Sequence, residues 1–269
     1  MEETSAGRQA GKILVLRPNS GISGDMLVTG LARLASLTQS GLDELLAQLN
    51  LPHLAGKVRL IEKSHNSIAG FGLDLALPRE SEHRHLAEII AFFTGADMTP
   101  RARELTLSAF ELLAEAEGRV HSLKPSEVHF HEVGALDSLL DMGLASMLFD
   151  RLDPSLFVCG PLPICDGVIE AAHGLLPSPA PAAAILLEGL AVRGLDSAGE
   201  TVTPTAASLL KVFGAVFGPW PEMILEKQAL VYGGRFLPGV PNGALFALGR
   251  ETARASAEPE SYYNFGAAD

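Results

Sequence analysis

Hydrophobic residues along the chain switch between two periods, and their order predicts strands alternating with helices. Residues 13–16 form a short apolar run typical of a buried strand, and the glycine-rich turn N-S-G-I-S-G-D follows it. An apolar helix is predicted over residues 25–37, because its apolar positions recur at helical spacing. The chain therefore begins with a strand, a loop and a helix.

The rest of the pattern predicts a mixed sheet flanked by helices. The run F-G-L-D-L-A-L at residues 71–77 alternates with a period of two, which indicates an antiparallel pair with a strand at residues 58–61. The T-V-T-P-T segment is predicted to begin a helix that continues to Phe217, with Thr203 as its cap and Pro204 in its first turn. Further helices are predicted at residues 43–49, 84–93 and 99–121, after Gly134 and in a proline-rich stretch near residue 180, and further strands at residues 156–159, 225–231 and 244–248. The expected fold class is α/β, or α+β.

Composition sets the boundaries of the folded body. The chain has 269 residues, of which 47% are hydrophobic, and this is enough for a large core. We expect residues 12–250 to fold as one domain, with room for two subdomains around a cleft. Residues 1–11 and 251–269 lack periodicity, so we expect a disordered N-terminal tail and a flexible C-terminal tail.

The charge of the chain excludes several classes of partner. Its 32 acidic residues outnumber 20 lysines and arginines, and the formal charge of −12 would repel nucleic acid and anionic membrane surfaces. No apolar tract is long and unbroken enough to span a bilayer. The first residues do not resemble a secretory signal, and the two cysteines lack C-x-x-C spacing, so a cytoplasmic location is expected. Homo-oligomerisation stays open.

The segment V-H-F-H-E-V-G-A-L-D, residues 128–137, has the composition of a metal centre. If the segment is extended, His129 and His131 project from one face as a chelating pair while Phe130 turns into the core. Neutral imidazoles bind nickel, zinc or iron well. An H-x-H pair also occurs in purely structural roles. The acidic residues that could add oxygen ligands or orient the rings are Glu132, Asp137 and Asp141.

Other histidines provide fewer candidates. His83 and His85 repeat the H-x-H spacing, but side chains two apart on a helix diverge by about 200°, so they cannot chelate together unless the segment before Leu86 is extended. We expect at most one ligand from this pair, His85; a solvated helix start is the alternative. His173 lies in a proline-rich loop, where a polar role near a ligand and simple exposure are equally compatible with the sequence.

Two predicted helix starts are candidates for binding a phosphorylated ligand. Free backbone N–H groups at a helix start attract anions, and ordinary helix capping is the competing interpretation. Asp25 opposes an anion by its charge, although it can recruit a metal or a proton. The candidate binding residues are Ser20, Gly21, Ser23 and Gly24 at the first helix start and Thr203 and Thr205 at the second.

Taken in order, these motifs resemble the LarC family, the nickel-insertion proteins of nickel pincer cofactor biosynthesis. The similarity covers residues 13–249 and is carried by S-G-I-S-G-D-M, H-R-H, V-H-F-H-E-V-G-A-L-D-S, P-L-P, A-A-H-G-L-L-P-S-P-A-P and V-T-P-T. The resemblance implies a nickel chelatase, or cyclometallase, of the lyase class. Such an enzyme inserts nickel into pyridinium-3,5-bisthiocarboxylic acid mononucleotide, consumes CTP with manganese or magnesium, and makes the cofactor used by lactate racemase.

The resemblance also implies roles for the candidate residues. His129, His131, Asp137 and His85 would bind nickel. The two helix starts would hold the phosphorylated pyridinium substrate, while a base removes the ring proton as the metal–carbon bond forms. The candidates for that base are Asp25, Glu132 and His173. The residues alone also permit a metal-dependent hydrolase of a small phosphorylated substrate, or a non-catalytic carrier of nickel or cofactor.

Three departures from the family pattern bear on these expectations. Arg17 occupies a position where the family usually has an aspartate, and Ala206 follows V-T-P-T where the family has glycine. Family members continue into a second domain associated with CTP and metal binding, whereas this chain ends in a polar segment. We therefore expect a separate chain to supply that half, or else a divergent relative that does not need CTP.

Overall fold

The computed structural model describes residues 11–77, 84–130, 135–171 and 174–252. The helices are α1 (Gly24–Leu34), α2 (Gln39–Gln48), α3 (Leu86–Thr94), α4 (Pro100–His121), α5 (Leu136–Leu152), α6 (Pro181–Leu187) and α7 (Pro204–Val212). The strands are β1 (Lys12–Pro18), β2 (Val58–His65), β3 (Ile68–Leu75), β4 (Arg84–His85), β5 (His129–Phe130), β6 (Leu156–Cys159), β7 (Leu162–Asp166), β8 (Val168–Ala171), β9 (Gly174–Pro177), β10 (Val192–Ala198), β11 (Val216–Phe217), β12 (Met223–Val231) and β13 (Ala244–Glu251).

A seven-stranded mixed sheet organises the protein, which confirms the predicted fold class. Its strand order is β11-β6-β1-β13-β12-β3-β2. The central strand β1 pairs in parallel with β6 and antiparallel with β13. Its apolar run is buried on both faces, as expected for an interior strand. The predicted antiparallel pair is β2 with β3, and the two predicted closing strands, β12 and β13, are antiparallel neighbours.

The helices share one large hydrophobic core with one face of the sheet. Leu14 and Leu16 of β1 belong to this core, whereas Ile13 and Val15 face the opposite side, where the buried cluster is small. Helix α5 is buried over most of its surface, and it packs against α1 and α4. The large apolar side chains that recur at helical spacing along α5 are all buried: Leu136, Leu139, Leu140, Leu144, Met147 and Leu148.

Some predicted boundaries were wrong, and tertiary pairing explains the larger differences. The helix predicted over residues 84–93 begins only at Leu86, because Arg84 and His85 are extended and pair with β5. The helix predicted to continue to Phe217 ends at Val212. Gly214, with a φ of +67°, turns the chain, and residues 216 and 217 pair in parallel with β6.

Three two-stranded sheets complete the described structure: β10 with β7, β4 with β5, and β8 with β9. Of the predicted tails, residues 1–10 and 253–269 lie outside the described residues, and β13 extends one residue past the predicted boundary, to Glu251. No helix in the described part of the chain combines the length and hydropathy that crossing a membrane requires.

Candidate functional site

The two helix starts that were predicted to bind a ligand lie side by side. The loop before α1 and the loop before α7 form a parallel bridge between Ile22 and Val202. The Ile22 N–H donates to the Thr201 carbonyl at 2.8 Å, and the Thr203 N–H donates to the Ile22 carbonyl at 3.2 Å. Gly21 makes this approach feasible, because its φ is +143° and a Cβ there would overlap the Thr201 carbonyl oxygen.

A cleft of about 310 Å³ opens where these two loops meet a third segment. The third segment, which we call the 232–243 loop, connects β12 to β13. The cleft is lined by residues 20–23, 25 and 26 of the first loop and helix, by residues 200, 201 and 203 of the second, and by residues 232–235, 237 and 243 of the third. Its volume lies at the lower end of the range for small-molecule sites.

The 232–243 loop is fastened at its second end. The Gly243 N–H donates to the Ser20 hydroxyl oxygen at 3.1 Å. The Asn242 amide closes the loop on itself, since its oxygen accepts from the Leu237 N–H at 2.7 Å and its nitrogen donates to the Leu237 carbonyl at 2.7 Å. The ring of Phe236 stacks on His65 with centroids 4.3 Å apart. This wall of the cleft is therefore held by specific contacts.

Four of the six predicted substrate-binding residues line the cleft: Ser20, Gly21, Ser23 and Thr203. Gly24 and Thr205 are not among its described lining residues. Thr203 caps α7 as predicted, because its side chain accepts from the Ala206 N–H at 3.2 Å. Ser23 occupies the N-cap position of α1 without capping it; its hydroxyl donates to the Asp25 carboxylate instead. Asp25, a candidate base, lines the cleft.

A carboxyl group from α5 lies against the start of α1. Asp141 accepts a hydrogen bond from the backbone N–H of Asp25. A Cβ at Gly24 would overlap the same carboxyl group, so glycine allows the two helices to approach this closely. The Asp141 Oδ1 atom is buried and has no hydrogen-bond partner among the residues that the structure describes. The Asp141 carboxyl group thus lies at the start of α1, where the sequence predicts binding of a phosphorylated ligand.

The surroundings of Asp141 favour its neutral form. Burial raises the pKa of this carboxyl well above its ordinary value of 3.8, and the nearby charges of Asp25 and Asp137 raise it further, against the opposing effect of the Asp25 N–H. Asp137, one turn earlier on α5, is exposed, and its carboxylate accepts from the Ser138 N–H at 2.7 Å.

The cleft is lined by two carboxylates and, among its described residues, by one cation. The carboxylates are Asp25 and Glu200, and the cation is Arg235. Arg235 and the rest of the 232–243 loop were not predicted as site residues from the sequence. The sequence does contain a signal for a loop here: in the run V-Y-G-G-R-F-L-P-G-V-P-N-G, closely spaced glycines follow a strand.

A pair of histidines lies on the small β4–β5 sheet. His85 is directly opposite His129, and the two imidazole rings have centroids 3.8 Å apart. Phe130 is buried in the core as predicted. Arg84 and His85 are extended, which is the condition for His83 and His85 to chelate together, but His83 lies outside the described residues. Two imidazoles in contact are a suitable beginning for a metal site.

Three predicted site residues, His131, Glu132 and His173, lie outside the described residues. Over the described ranges, no group of three or more histidine, cysteine or acidic side chains is arranged to hold a metal ion. Of the four predicted metal ligands, His85, His129 and Asp137 are therefore described, and the two histidine rings are in contact. Helix α5, with Asp137 in its first turn, begins six residues after Phe130.

The two sequence positions that depart from the family pattern lie away from the cleft lining. The Arg17 guanidinium donates to the Gly218 carbonyl at 2.6 Å and lies over the Trp220 ring, 5.2 Å from its centroid. Burial lowers the pKa of Arg17, and burial raises the pKa of the adjacent Cys159 thiol to about 12. Ala206 is fully buried within α7. Both residues contribute to packing.

These features define an α/β protein whose cleft lies where two helix starts and a loop converge, with a histidine pair on a separate small sheet. The family model described as "Nickel insertion protein" matches residues 14–262. The chain belongs to this family.

Relatives with descriptive names cover most of this chain. A putative nickel insertion protein of Geotalea daltonii is 36% identical over 242 residues, which are 90% of this chain and 62% of that protein. Proteins named pyridinium-3,5-bisthiocarboxylic acid mononucleotide nickel insertion protein are 36% identical in Desulfitobacterium hafniense, covering 77% of this chain and 51% of the relative, and 31% identical in Staphylococcus epidermidis, covering 80% and 54%. The chain spans about 50–60% of the length of these relatives. No solved structure matches it.

Proposed function

We propose that this protein takes part in nickel insertion into pyridinium-3,5-bisthiocarboxylic acid mononucleotide, within nickel pincer cofactor biosynthesis. The observation that carries the proposal is that two helix starts converge on a cleft lined by the carboxylate of Asp25, in a member of the nickel insertion family. Two relatives are named for this reaction. The substrate is a small phosphorylated pyridinium, which suits a cleft of about 310 Å³.

In this proposal the cleft holds the mononucleotide and Asp25 acts as the base. Insertion breaks a ring C–H bond; the electron pair of that bond forms the nickel–carbon bond, and the proton passes to the Asp25 carboxylate. The Ser23 hydroxyl donates to that carboxylate and fixes its orientation. The surroundings of Asp141 raise its pKa and so disfavour a second negative charge beside Asp25. Glu132 and His173 remain the alternative bases.

We assign nickel, the second substrate, to the histidine pair. His85 and His129 supply two imidazole nitrogens from adjacent strands, and such ligands suit nickel. His131 and Asp137, which flank the start of α5, are proposed to complete the ligand set. A site with few protein ligands suits a metal that must be released to the substrate, because each further ligand would slow the transfer.

The family resemblance also implies a nucleotide co-substrate and a second domain, and we include both in the proposal. We propose that the nickel step consumes CTP with manganese or magnesium. We also propose that a further domain, supplied by this protein or by another chain, acts together with the described cleft, and that the reaction takes place in the cytoplasm.

The test uses the pure protein with nickel and the bisthiocarboxylate mononucleotide, with and without CTP. The nickel complex is followed by its absorbance, and nickel binding is measured by calorimetry. We expect Asp25→Asn to bind nickel normally and to form less product by at least about 100-fold, as for loss of a general base. We expect His85→Ala and His129→Ala to weaken nickel binding.

The matched control is His53→Ala, which removes an exposed histidine outside both sites and should change neither measurement. The Desulfitobacterium hafniense relative, which is named for this substrate, serves as the positive control for the assay. Nickel binding without product under every condition would contradict insertion and would favour a nickel carrier. Hydrolysis of phosphoesters by the same preparation would favour a metal-dependent hydrolase.

A further inference from the structure

The polar groups at both helix starts of the cleft are largely engaged within the protein. The Asp25 N–H donates to Asp141, and the Ser23 hydroxyl donates to Asp25. Thr203 accepts from the Ala206 N–H, and Ser20 accepts from the Gly243 N–H. The Ser20 and Thr203 hydroxyls can still donate to a ligand, but they are neutral, so an anionic ligand needs a positive charge in the cleft.

Arg235 is the side chain that can provide it. Its guanidinium is exposed, lines the cleft, and has no hydrogen bond or ion pair with any described residue. The other charged residues of the described lining are Asp25 and Glu200, and the chain as a whole carries a formal charge of −12. Arg235 therefore supplies the positive charge that an anionic ligand would meet among the described residues of the cleft lining, and its N–H donors are free to bind one.

The position of Arg235 is set by the residues on either side of it. On one side, Gly233 lies so close to α1 that a Cβ would come within 3.0 Å of the Met26 sulfur. On the other side, Phe236 stacks on His65 with an interplanar angle of 9°, and Asn242 fastens the loop main chain. These contacts hold the backbone of residue 235 at the cleft wall.

We propose that Arg235 binds the 5′-phosphate of the pyridinium mononucleotide and so distinguishes the nucleotide from its nucleoside. This assignment rests on the proposed function. A phosphate dianion needs a positive charge in a cleft that already contains two carboxylates, and a guanidinium offers it paired N–H donors in matching geometry. With the phosphate at Arg235, the reacting ring is free to lie near Asp25.

The test compares two ligands that differ only by the phosphate. The full chain is titrated calorimetrically with pyridinium-3-carboxylate mononucleotide and with the corresponding riboside. The proteins are the wild type, Arg235→Gln, Arg235→Lys and the control Arg151→Gln, which removes an exposed arginine from the last turn of α5. Circular dichroism checks that each variant is folded.

We expect Arg235→Gln to weaken binding of the mononucleotide by about 10- to 100-fold and to leave binding of the riboside unchanged. Arg235→Lys should lose less, because it keeps the charge but not the paired donors. Arg151→Gln should bind both ligands as the wild type does. The preference of the wild type for the nucleotide should shrink as salt is added.

Equal weakening for both ligands would overturn the assignment, because Arg235 would then contact the ring or the ribose. No weakening for either ligand, or no binding of the mononucleotide to the wild type, would overturn it as well. The nickel-insertion assay separates the two proposals. Product formation that is insensitive to Arg235→Gln at low substrate concentration refutes only the phosphate contact, whereas phosphate-dependent binding without any product refutes only nickel insertion.

Discussion

Asp141→Asn should change how the stability of this protein depends on pH. The wild-type carboxyl is buried at the start of α1 beside Asp25, and its pKa is raised well above 3.8. Between pH 3.8 and the folded-state pKa, the unfolded chain releases the proton while the folded protein keeps it. The free energy of unfolding therefore falls as pH rises through this window, by up to about 1.4 kcal/mol per pH unit. Asparagine does not titrate, so the variant lacks this contribution.

The measurement is urea unfolding of the wild type and Asp141→Asn at half-unit steps from pH 4 to pH 8. The informative quantity is the slope of their stability difference against pH, because the other carboxyl groups contribute nearly equally to both proteins. Asparagine can still accept from the Asp25 N–H, so the helix contact is kept. The control is the non-titrating substitution Gly56→Ala, which lies in open space, and its stability difference from the wild type should not depend on pH.

The expected result is that Asp141→Asn gains stability relative to the wild type as pH rises above 3.8, and that the gain levels off above the folded-state pKa. The part of the stability difference that does not change with pH does not test the prediction. An amide nitrogen would replace Oδ1, which has no hydrogen-bond partner among the described residues, and burying that nitrogen has its own free-energy cost. Parallel stability curves would refute the reasoning, since they would mean that Asp141 is ionised in the folded protein at every pH tested.

Two further substitutions test how the cleft is built. Gly21→Ala should destabilise the protein by more than about 3 kcal/mol in urea unfolding, because it adds an unfavourable φ and an overlap with the Thr201 carbonyl. Gly56→Ala is the matched control, because Gly56 also has a positive φ but has open space around it. This substitution should lower the free energy of unfolding by only about 1 kcal/mol. Equal losses of stability in the two variants would mean that the overlap at residue 21 is relieved at little cost. Thr203→Ala should cost about 1 kcal/mol through loss of the cap on α7, and an unchanged unfolding midpoint would mean that the Ala206 N–H finds another acceptor.

Elements with a clear local signal were predicted correctly. The apolar run of β1, the alternation in β3 and the helix after Gly134 are each indicated by the order of apolar and polar residues within one segment, and neighbouring residues carry that information. Predictions were wrong where a short segment pairs with a distant one. The extended conformation of Arg84 and His85 depends on β5, more than forty residues later in the chain.

The same distinction between local sequence signals and long-range contacts applies to the candidate site. Sequence spacing identified the glycine-rich loop, the T-V-T-P-T helix start and the histidines, because each has a recognisable local composition. It missed Arg235, since one arginine in a glycine-rich loop has no distinctive pattern. It also did not predict that Asp141 contacts the start of α1. Helical spacing shows which residues share one face of a helix, but not which other element that face contacts.

The sequence by itself determined the mixed α/β fold, the motifs of the family and the candidate residues for metal and phosphate binding. The tertiary structure decided which of these residues meet. It joined residue 22 to residue 202, placed His85 against His129, and brought Asp141 under the start of α1. The physical reason is that periodicity and capping act over a few neighbouring residues, whereas these contacts depend on how a whole sheet and its helices pack together.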